Sequence, residues 1–154
     1  MSLFVECKPD ETLAFALGVA RRDIEHALGR GRVCAQVSLR NSVLGMVDED
    51  PGAALPQYFK ILKEQSREHG IPVLIDEERN NRIIMLCPRL EEWLVQTTKS
   101  AGTKMTDFGF ESDNGVQLHA EINQRLGSLQ QLVKALLDAK SPRLLRLKSL
   151  LTQT

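Results

Sequence analysis

The chain has 154 residues, of which 42% are hydrophobic and 26% are charged, as is typical of a single soluble globular domain. Lysine plus arginine and aspartate plus glutamate each total 20, so the net charge of zero indicates no particular class of partner. No apolar run approaches the roughly 20 residues that a membrane-spanning helix requires, and we therefore expect no membrane partner.

The cysteines and histidines argue against a disulfide framework and against a zinc site. Cys7, Cys34 and Cys87 are odd in number, and each lies in or at the end of an apolar run. The amino-terminal segment lacks the pattern of a secretory signal, so we expect free thiols and a cytoplasmic location. The chain has no CxxC motif and its histidines are far apart in sequence, which argues against a zinc site.

Strand and helix signals alternate through residue 100. Apolar residues 3–5 predict a first strand, and Asp10 is the predicted N-cap of a helix that reaches Leu17. The later predicted elements are a short helix at 23–28, strands at 33–37 and 43–47, a helix at 56–68, strands at 72–75 and 83–86, and a helix from 89 to about 100. This alternation predicts βαβ units and a mostly parallel sheet.

The remainder of the chain is predicted to be helical after a loop at residues 101–115. Ser141 followed by Pro142 is a good start signal for the last helix. We expect one domain, with an α/β core at 1–100 and a loop and helices at 101–154. The leucine content of these helices predicts packing either on the core or against a homodimer or protein partner, with Leu147 and Leu151 as the best probes of an interface.

Charge is unevenly distributed along the chain. Residues 121–154 carry a net charge of +4, from six basic and two acidic residues, so residues 1–120 carry −4. A basic carboxy-terminal segment beside an acidic site would steer a polyanion toward that site. The simpler interpretation is a solvated helical face, and the sequence leaves both open.

Carboxylates follow two of the predicted strands at the point where each ends. Glu6 follows the first strand, and Asp48 and Asp50 follow the strand at 43–47. Ligands of open α/β sheets bind at the carboxyl ends of parallel strands, so we expect these carboxylates in one cleft. If the strand geometry persists, Asp48 and Asp50 point to the same side. Gathered carboxylates repel one another unless a cation or proton lies between them, and oxygen ligands suit Mg²⁺ or Mn²⁺.

Three segments together resemble a known family. Residues 4–11 read FVECKPDE, residues 45–52 read GMVDEDPG, and residues 88–94 read PRLEEWL after the predicted strand at 83–86. In this order they resemble the TOPRIM domain of topoisomerases, primases and OLD-family nucleases, most of all the OLD-type branch and small bacterial TOPRIM-like proteins. The resemblance covers about residues 3–100, and each motif alone is weak.

The resemblance implies a Rossmann-like α/β fold with a mostly parallel sheet flanked by helices. It implies Mg²⁺- or Mn²⁺-dependent phosphodiester chemistry on nucleic acid, DNA more readily than RNA, as in a small nuclease of a defence or mobile-element system. The site residues that it implies are metal ligands at Asp48, Asp50 and Glu91, a metal ligand or general acid/base at Glu6, and a cation beside the phosphate at Lys8 or Arg89.

The first motif departs from the family at Cys7, where the family has glycine. A side chain at this position obstructs close approach of a nucleic-acid backbone. The departure favours the alternative of a non-catalytic binding or oligomerisation module with a vestigial acidic site. A receiver-like phosphoacceptor domain is a third interpretation, which expects an acidic pair after the first strand and a lysine after the last. Glu91 and Glu92 also fit a role as first-turn helix acids.

Overall fold

The structure, a computed structural model that describes residues 1–153, is built on a six-stranded mixed sheet. Its strands are β1 (Leu3–Val5), β2 (Ile24–His26), β3 (Leu44–Asp48), β4 (Lys63–Glu68), β5 (Ile71–Asp76) and β6 (Asn81–Leu86). Their order across the sheet is β2-β1-β3-β6-β5-β4. The first four strands in this order are parallel, whereas β5 and β4 are antiparallel to their neighbours. The mostly parallel prediction is therefore met only in part.

Six helices cover both faces of the sheet. They are α1 (Lys8–Ala16), α2 (Arg30–Ser38), α3 (Leu90–Ser100), α4 (Gly115–Ile122), α5 (Leu126–Asp138) and α6 (Pro142–Thr152). The helix α2 packs on one face together with residues 58–62, and the other five α-helices share the hydrophobic core on the opposite face. Because β2 and β3 lie on opposite sides of β1, right-handed crossovers place α1 and α2 on opposite faces.

Two predicted elements have the opposite type in the structure. Residues 23–28, predicted as a helix, form a short 3₁₀ turn and then β2. Residues 33–37, predicted as a strand, lie inside α2. The two β-branched residues Val33 and Val37 favoured a strand, but their spacing of four also places both on one helix face, which is fully buried.

The predicted helix at 56–68 is also wrong. A 3₁₀ helix at Gln57–Ile61 is followed by the edge strand β4, which pairs with β5. The residues of β4 read KEQSRE and are almost all exposed, so no apolar alternation marks the strand. Charged side chains on an edge strand discourage pairing with another sheet, and here they also conceal the strand from sequence patterns.

The carboxy-terminal helices belong to the same hydrophobic core as the sheet. Ser141 begins α6 as predicted, since its Oγ accepts the Leu144 backbone N–H. Leu147 and Leu151 are buried within the chain, so the prediction that they probe an interface is wrong. Among large apolar residues of these helices, Val116 and Leu145 are exposed. Within residues 1–153, no helix is long and apolar enough to cross a bilayer.

Gly45 allows α2 to approach β3 closely. A Cβ atom on Gly45 would lie 2.7 Å from Ile83 Cδ1 and 3.0 Å from Val33 Cγ1. We expect Gly45→Ala to lower the free energy of unfolding by about 1–3 kcal/mol, because overpacking displaces side chains or backbone. Urea denaturation measures the change. Gly31→Ala is the control, since a Cβ at Gly31 meets no atom within 4 Å, and equal losses in both variants would contradict this explanation.

Candidate functional site

The carboxyl ends of β1 and β3 bring two of the predicted site residues together. Val5, the last residue of β1, pairs with Met46 of β3, so Glu6 lies beside the end of the neighbouring strand. The Asp48 backbone N–H donates to Glu6 Oε2 at 2.9 Å. Glu6 and Asp48 therefore lie next to each other at the sheet edge where the strand pattern predicted a cleft.

The first turns of two helices add two further carboxylates at this edge. Asp10 lies in the first turn of α1 with 2% exposure, and Glu91 lies in the first turn of α3 with 5% exposure. The charges of both act on Asp48. The backbone N–H of Leu90, at the start of α3, donates to Asp48 Oδ1 at 3.0 Å. We call Glu6, Asp10, Asp48 and Glu91 the carboxylate cluster.

Burial and mutual repulsion raise the pKa values of three cluster members. Burial raises the pKa of Asp48, and the charges of Asp10, Glu6 and Glu91 raise it further. Burial, then the charge of Glu6, raises the pKa of Asp10. Burial also raises the pKa of Glu6, against the opposing effects of the Asp48 backbone N–H and the nearby Arg30. A cation or a proton at this site would relieve the repulsion.

Cys7 and Asp10 have different roles from those predicted. The N-cap of α1 is Cys7, whereas Asp10, the predicted cap, is a buried member of the cluster. The Cys7 thiol donates to Asp10 Oδ2 at 3.2 Å. Burial, reinforced by the Asp10 charge, raises the pKa of Cys7, so the thiol stays protonated and remains a donor. Cys7 thus contacts the cluster directly.

Asp50 lies at the rim of the site and not inside the cluster. Strand geometry ends at Asp48, and Asp50 has a positive φ of 49°, so the expectation that Asp48 and Asp50 share one side of a continuing strand is wrong. The Asp50 carboxylate accepts from Arg89 Nη2 at 3.1 Å, while its charge still raises the pKa of Glu6. Arg89 also lies 3.6 Å from Glu92 Oε1. Asp50 and Arg89 therefore form an ion pair beside the cluster.

Of the two predicted cations, Arg89 lies beside the cluster and Lys8 does not. Lys8 Nζ lies 3.3 Å from Glu11 Oε2, and its side chain is 63% exposed, so the structure does not bring Lys8 into the cluster. Arg30, which sequence analysis missed, donates to the backbone carbonyl oxygens of Glu49 and Ala54. It thereby holds the loop after β3 and lowers the pKa of Glu6. Its position immediately after Gly29, at the start of a helix, was the available signal.

His119 was also missed, because it is a lone histidine on a helix and carries no motif. Its Nδ1 lies 3.0 Å from Glu91 Oε1, and its side chain is 76% exposed. His119 lines an open cleft of about 290 Å³ together with Arg89, Glu91 and Glu92. The Glu92 Oε2 atom is buried without a hydrogen-bond partner among the described residues. This cleft continues the polar site away from β1.

The chemistry of the donor set fits a hard divalent cation. Every member of the cluster offers carboxylate oxygen, which is the ligand type of Mg²⁺ and Mn²⁺. Glu6 and Asp48 each accept a backbone N–H on one oxygen, and no hydrogen bond within residues 1–153 engages the second oxygen of either. Among residues 1–153, however, no three His, Cys, Asp or Glu side chains lie close enough together to hold a metal ion by themselves. A bound cation would therefore need ligands from water or substrate as well.

Comparison of the chain with protein-family models, curated proteins and solved structures gives no match. The resemblance to the TOPRIM domain stays a prediction.

Proposed function

We propose that the chain is a Mg²⁺- or Mn²⁺-dependent nuclease with a TOPRIM-like active site, acting on DNA more readily than on RNA. The observation that carries the proposal is the carboxylate cluster at the carboxyl ends of β1 and β3. In open α/β sheets this edge is where ligands bind. Free thiols at Cys7, Cys34 and Cys87 agree with a cytoplasmic enzyme.

Two backbone hydrogen bonds, to Glu6 and to Asp48, do not require four carboxylates at one place, and the excess of acidic groups favours a functional role. In the described part of the chain, no lysine or arginine forms an ion pair with Glu6, Asp10 or Asp48. Burying carboxylates without cationic partners costs free energy, whereas apolar side chains would stabilise the same positions. Groups with pKa values raised by burial and like charge are concentrated at functional sites. The simplest use of such a cluster is to hold cations beside a phosphate.

Each residue of the site has a defined part in the proposed reaction. Asp48 and one neighbouring carboxylate would hold the cation, and water and phosphate oxygens would complete its coordination, because no three of these side chains converge closely enough as they lie in residues 1–153. Bound there, a divalent cation stabilises negative charge on the phosphodiester and lowers the pKa of water. Glu6, whose pKa is raised, would hold or release a proton at the reacting oxygen. Arg89 would bind a phosphate oxygen, oriented by its ion pair with Asp50.

Metal-dependent cleavage of nucleic acid tests the proposal. Supercoiled plasmid, single-stranded DNA and single-stranded RNA are incubated with the protein in Mg²⁺, in Mn²⁺ or in EDTA. We expect products with either metal and none in EDTA. The double variant Glu6→Gln/Asp48→Asn, purified identically, controls for contaminating nucleases. Equal cleavage by this variant, or a folded wild type that cleaves none of the substrates, would favour the non-catalytic binding module instead.

A further inference from the structure

A second cleft lies one strand away from the carboxylate cluster. It has a volume of about 320 Å³ and opens between the edge strand β2 and the first two turns of α2. His26, the last residue of β2, pairs with Val5, which immediately precedes Glu6. Neighbouring strands are about 4.8 Å apart, so the cleft and the cluster are adjacent at the same end of the sheet.

The lining of this cleft combines apolar surface with hydrogen-bonding groups. Ala35 contributes apolar surface, and Leu28, at the end of the cleft nearest the carboxyl ends of the strands, is 67% exposed. Phe4 lies below them and is 1% exposed, with the Arg40 guanidinium 4.9 Å from the centre of its ring. Glu25 and Gln36 contribute polar groups to the same space. Gln36 Oε1 accepts from Arg40, which leaves the Gln36 amide N–H groups free to donate. Apolar walls with a few hydrogen-bonding groups are typical of sites for planar heterocycles.

An unpaired cation lies at the rim. Arg32, in the first turn of α2, forms no ion pair or hydrogen bond with any residue in the range 1–153, and it is exposed. The same turn carries Arg30, whose charge reaches Glu6. The end of the cleft nearest the cluster therefore carries Arg32 and, beside it, Arg30. Glu25 lies one residue before His26, farther from the cluster, and can accept a hydrogen bond from an amino group.

We propose that this cleft binds one unstacked base of a single-stranded nucleic acid, with Arg32 on the adjoining phosphate and the scissile phosphodiester at the carboxylate cluster. That the ligand is a nucleic acid rests on the proposed function, but its binding to the cleft does not require that the protein cleave it. The volume is near the lower end of the roughly 300–1,000 Å³ range of small-molecule sites, which suits one base with its sugar. The substrate is accordingly a single strand or an unpaired end, since a base must leave its stack to enter.

Binding of fluorescein-labelled oligonucleotides of about ten nucleotides, within the usual site sizes, tests the proposal in EDTA, where cleavage is suppressed. DNA and RNA single strands and a DNA duplex are compared by fluorescence anisotropy. We expect single strands to bind and the duplex to bind at least about tenfold more weakly. The DNA and RNA arms show which sugar the site accepts. A wild type that binds no single strand, or that binds duplex equally well, would overturn the proposal.

A substitution that fills the cleft distinguishes binding of a base from general electrostatic attraction of the phosphates. Ala35→Trp places a ring in the cleft, and we expect it to weaken single-strand binding about tenfold. Ala139→Trp, at an exposed alanine after α5, is the matched control and should bind as the wild type does. Thermal melting verifies that both variants are folded. An abasic residue scanned along the strand should weaken wild-type binding at one position and leave Ala35→Trp unaffected; equal effects in both would refute occupation of the cleft by a base.

The rim cation has its own measurement. Arg32→Gln should reduce the slope of log Kd against log salt concentration by about 0.7 to 1, because one fewer phosphate is neutralised. Arg22→Gln is the control, since Arg22 is exposed but lies before β2 and outside the cleft. Equal changes in slope would contradict a specific contact at Arg32. If single strands bind with these sensitivities but no metal supports cleavage, the nuclease proposal fails and the base-binding proposal holds. If the protein cleaves nucleic acid and Ala35→Trp does not change the rate, the base-binding proposal fails and the nuclease proposal holds.

Discussion

Replacing Asp48 with Asn is expected to lower the rate of metal-dependent phosphodiester cleavage by about two to three orders of magnitude. Asp48 is the cluster member on which the charges of the other three converge. The change retains the side-chain shape and the oxygen that accepts the Leu90 N–H, but it removes the negative charge that would hold the cation. A loss of several kcal/mol of charge stabilisation corresponds to this change in rate.

Single-turnover cleavage at saturating Mn²⁺ measures the effect, and calorimetry with Mn²⁺ shows whether metal binding is lost with it. Glu78→Gln removes an equally charged carboxylate from the loop between β5 and β6, at the opposite end of the sheet from the cluster. We expect this control to cleave and bind Mn²⁺ as the wild type does. Cleavage by Asp48→Asn within a fewfold of the wild type, or equal heats with Mn²⁺, would remove Asp48 from the proposed site.

The stability that Asp10 contributes to the metal-free protein should decline as the pH rises above about 4, and Asp10→Asn should remove this decline. Burial and the Glu6 charge raise the native pKa of Asp10 above its unfolded value of about 3.9. The native state therefore holds a proton that the unfolded state releases. The contribution is complete below the unfolded pKa and declines until the native carboxyl also ionises. Each such proton changes the free energy of unfolding by up to about 1.4 kcal/mol per pH unit.

Urea denaturation of metal-free wild type and Asp10→Asn at a series of pH values measures the difference. Relative to the wild type at the same pH, we expect the variant to gain stability between pH 4 and pH 8, by about 1–2 kcal/mol or more. Mg²⁺ should restore part of the wild-type stability at pH 8, because a ligand of the native state stabilises it. A difference that does not change with pH would show that Asp10 is not held near other carboxylates.

Asp76→Asn should change the free energy of unfolding in the opposite direction to Asp10→Asn. Burial opposes ionisation of Asp76, but donors on Tyr58 and Arg79 outweigh burial and lower its pKa. This carboxylate stabilises the protein above its unfolded pKa, and the stabilisation is lost as the pH falls. We therefore expect Asp76→Asn to lower stability at neutral pH, where Asp10→Asn raises it. The two buried aspartates differ in whether the surrounding groups are donors or other carboxylates.

The sequence alone determined four of the strands and the position of two site residues, through apolar runs and the residues that end them. The strands β1, β3, β5 and β6 each contain a run of apolar residues long enough to be recognised. Glu6 and Asp48 end two of these runs, and the parallel pairing of β1 with β3 then places them together. The last helix was equally local, because a serine cap followed by proline specifies its start whatever it packs against.

Tertiary structure decided the features that depend on partners distant in sequence. The strand β4 has no apolar alternation, and its backbone bonds to β5 define it. Asp10 has the sequence signature of a cap, and only the convergence of α1 and α3 on the end of β3 makes it part of a buried cluster. Leu147 and Leu151 would suit an interface as well as a core, because an apolar helix face specifies burial but not the surface that buries it.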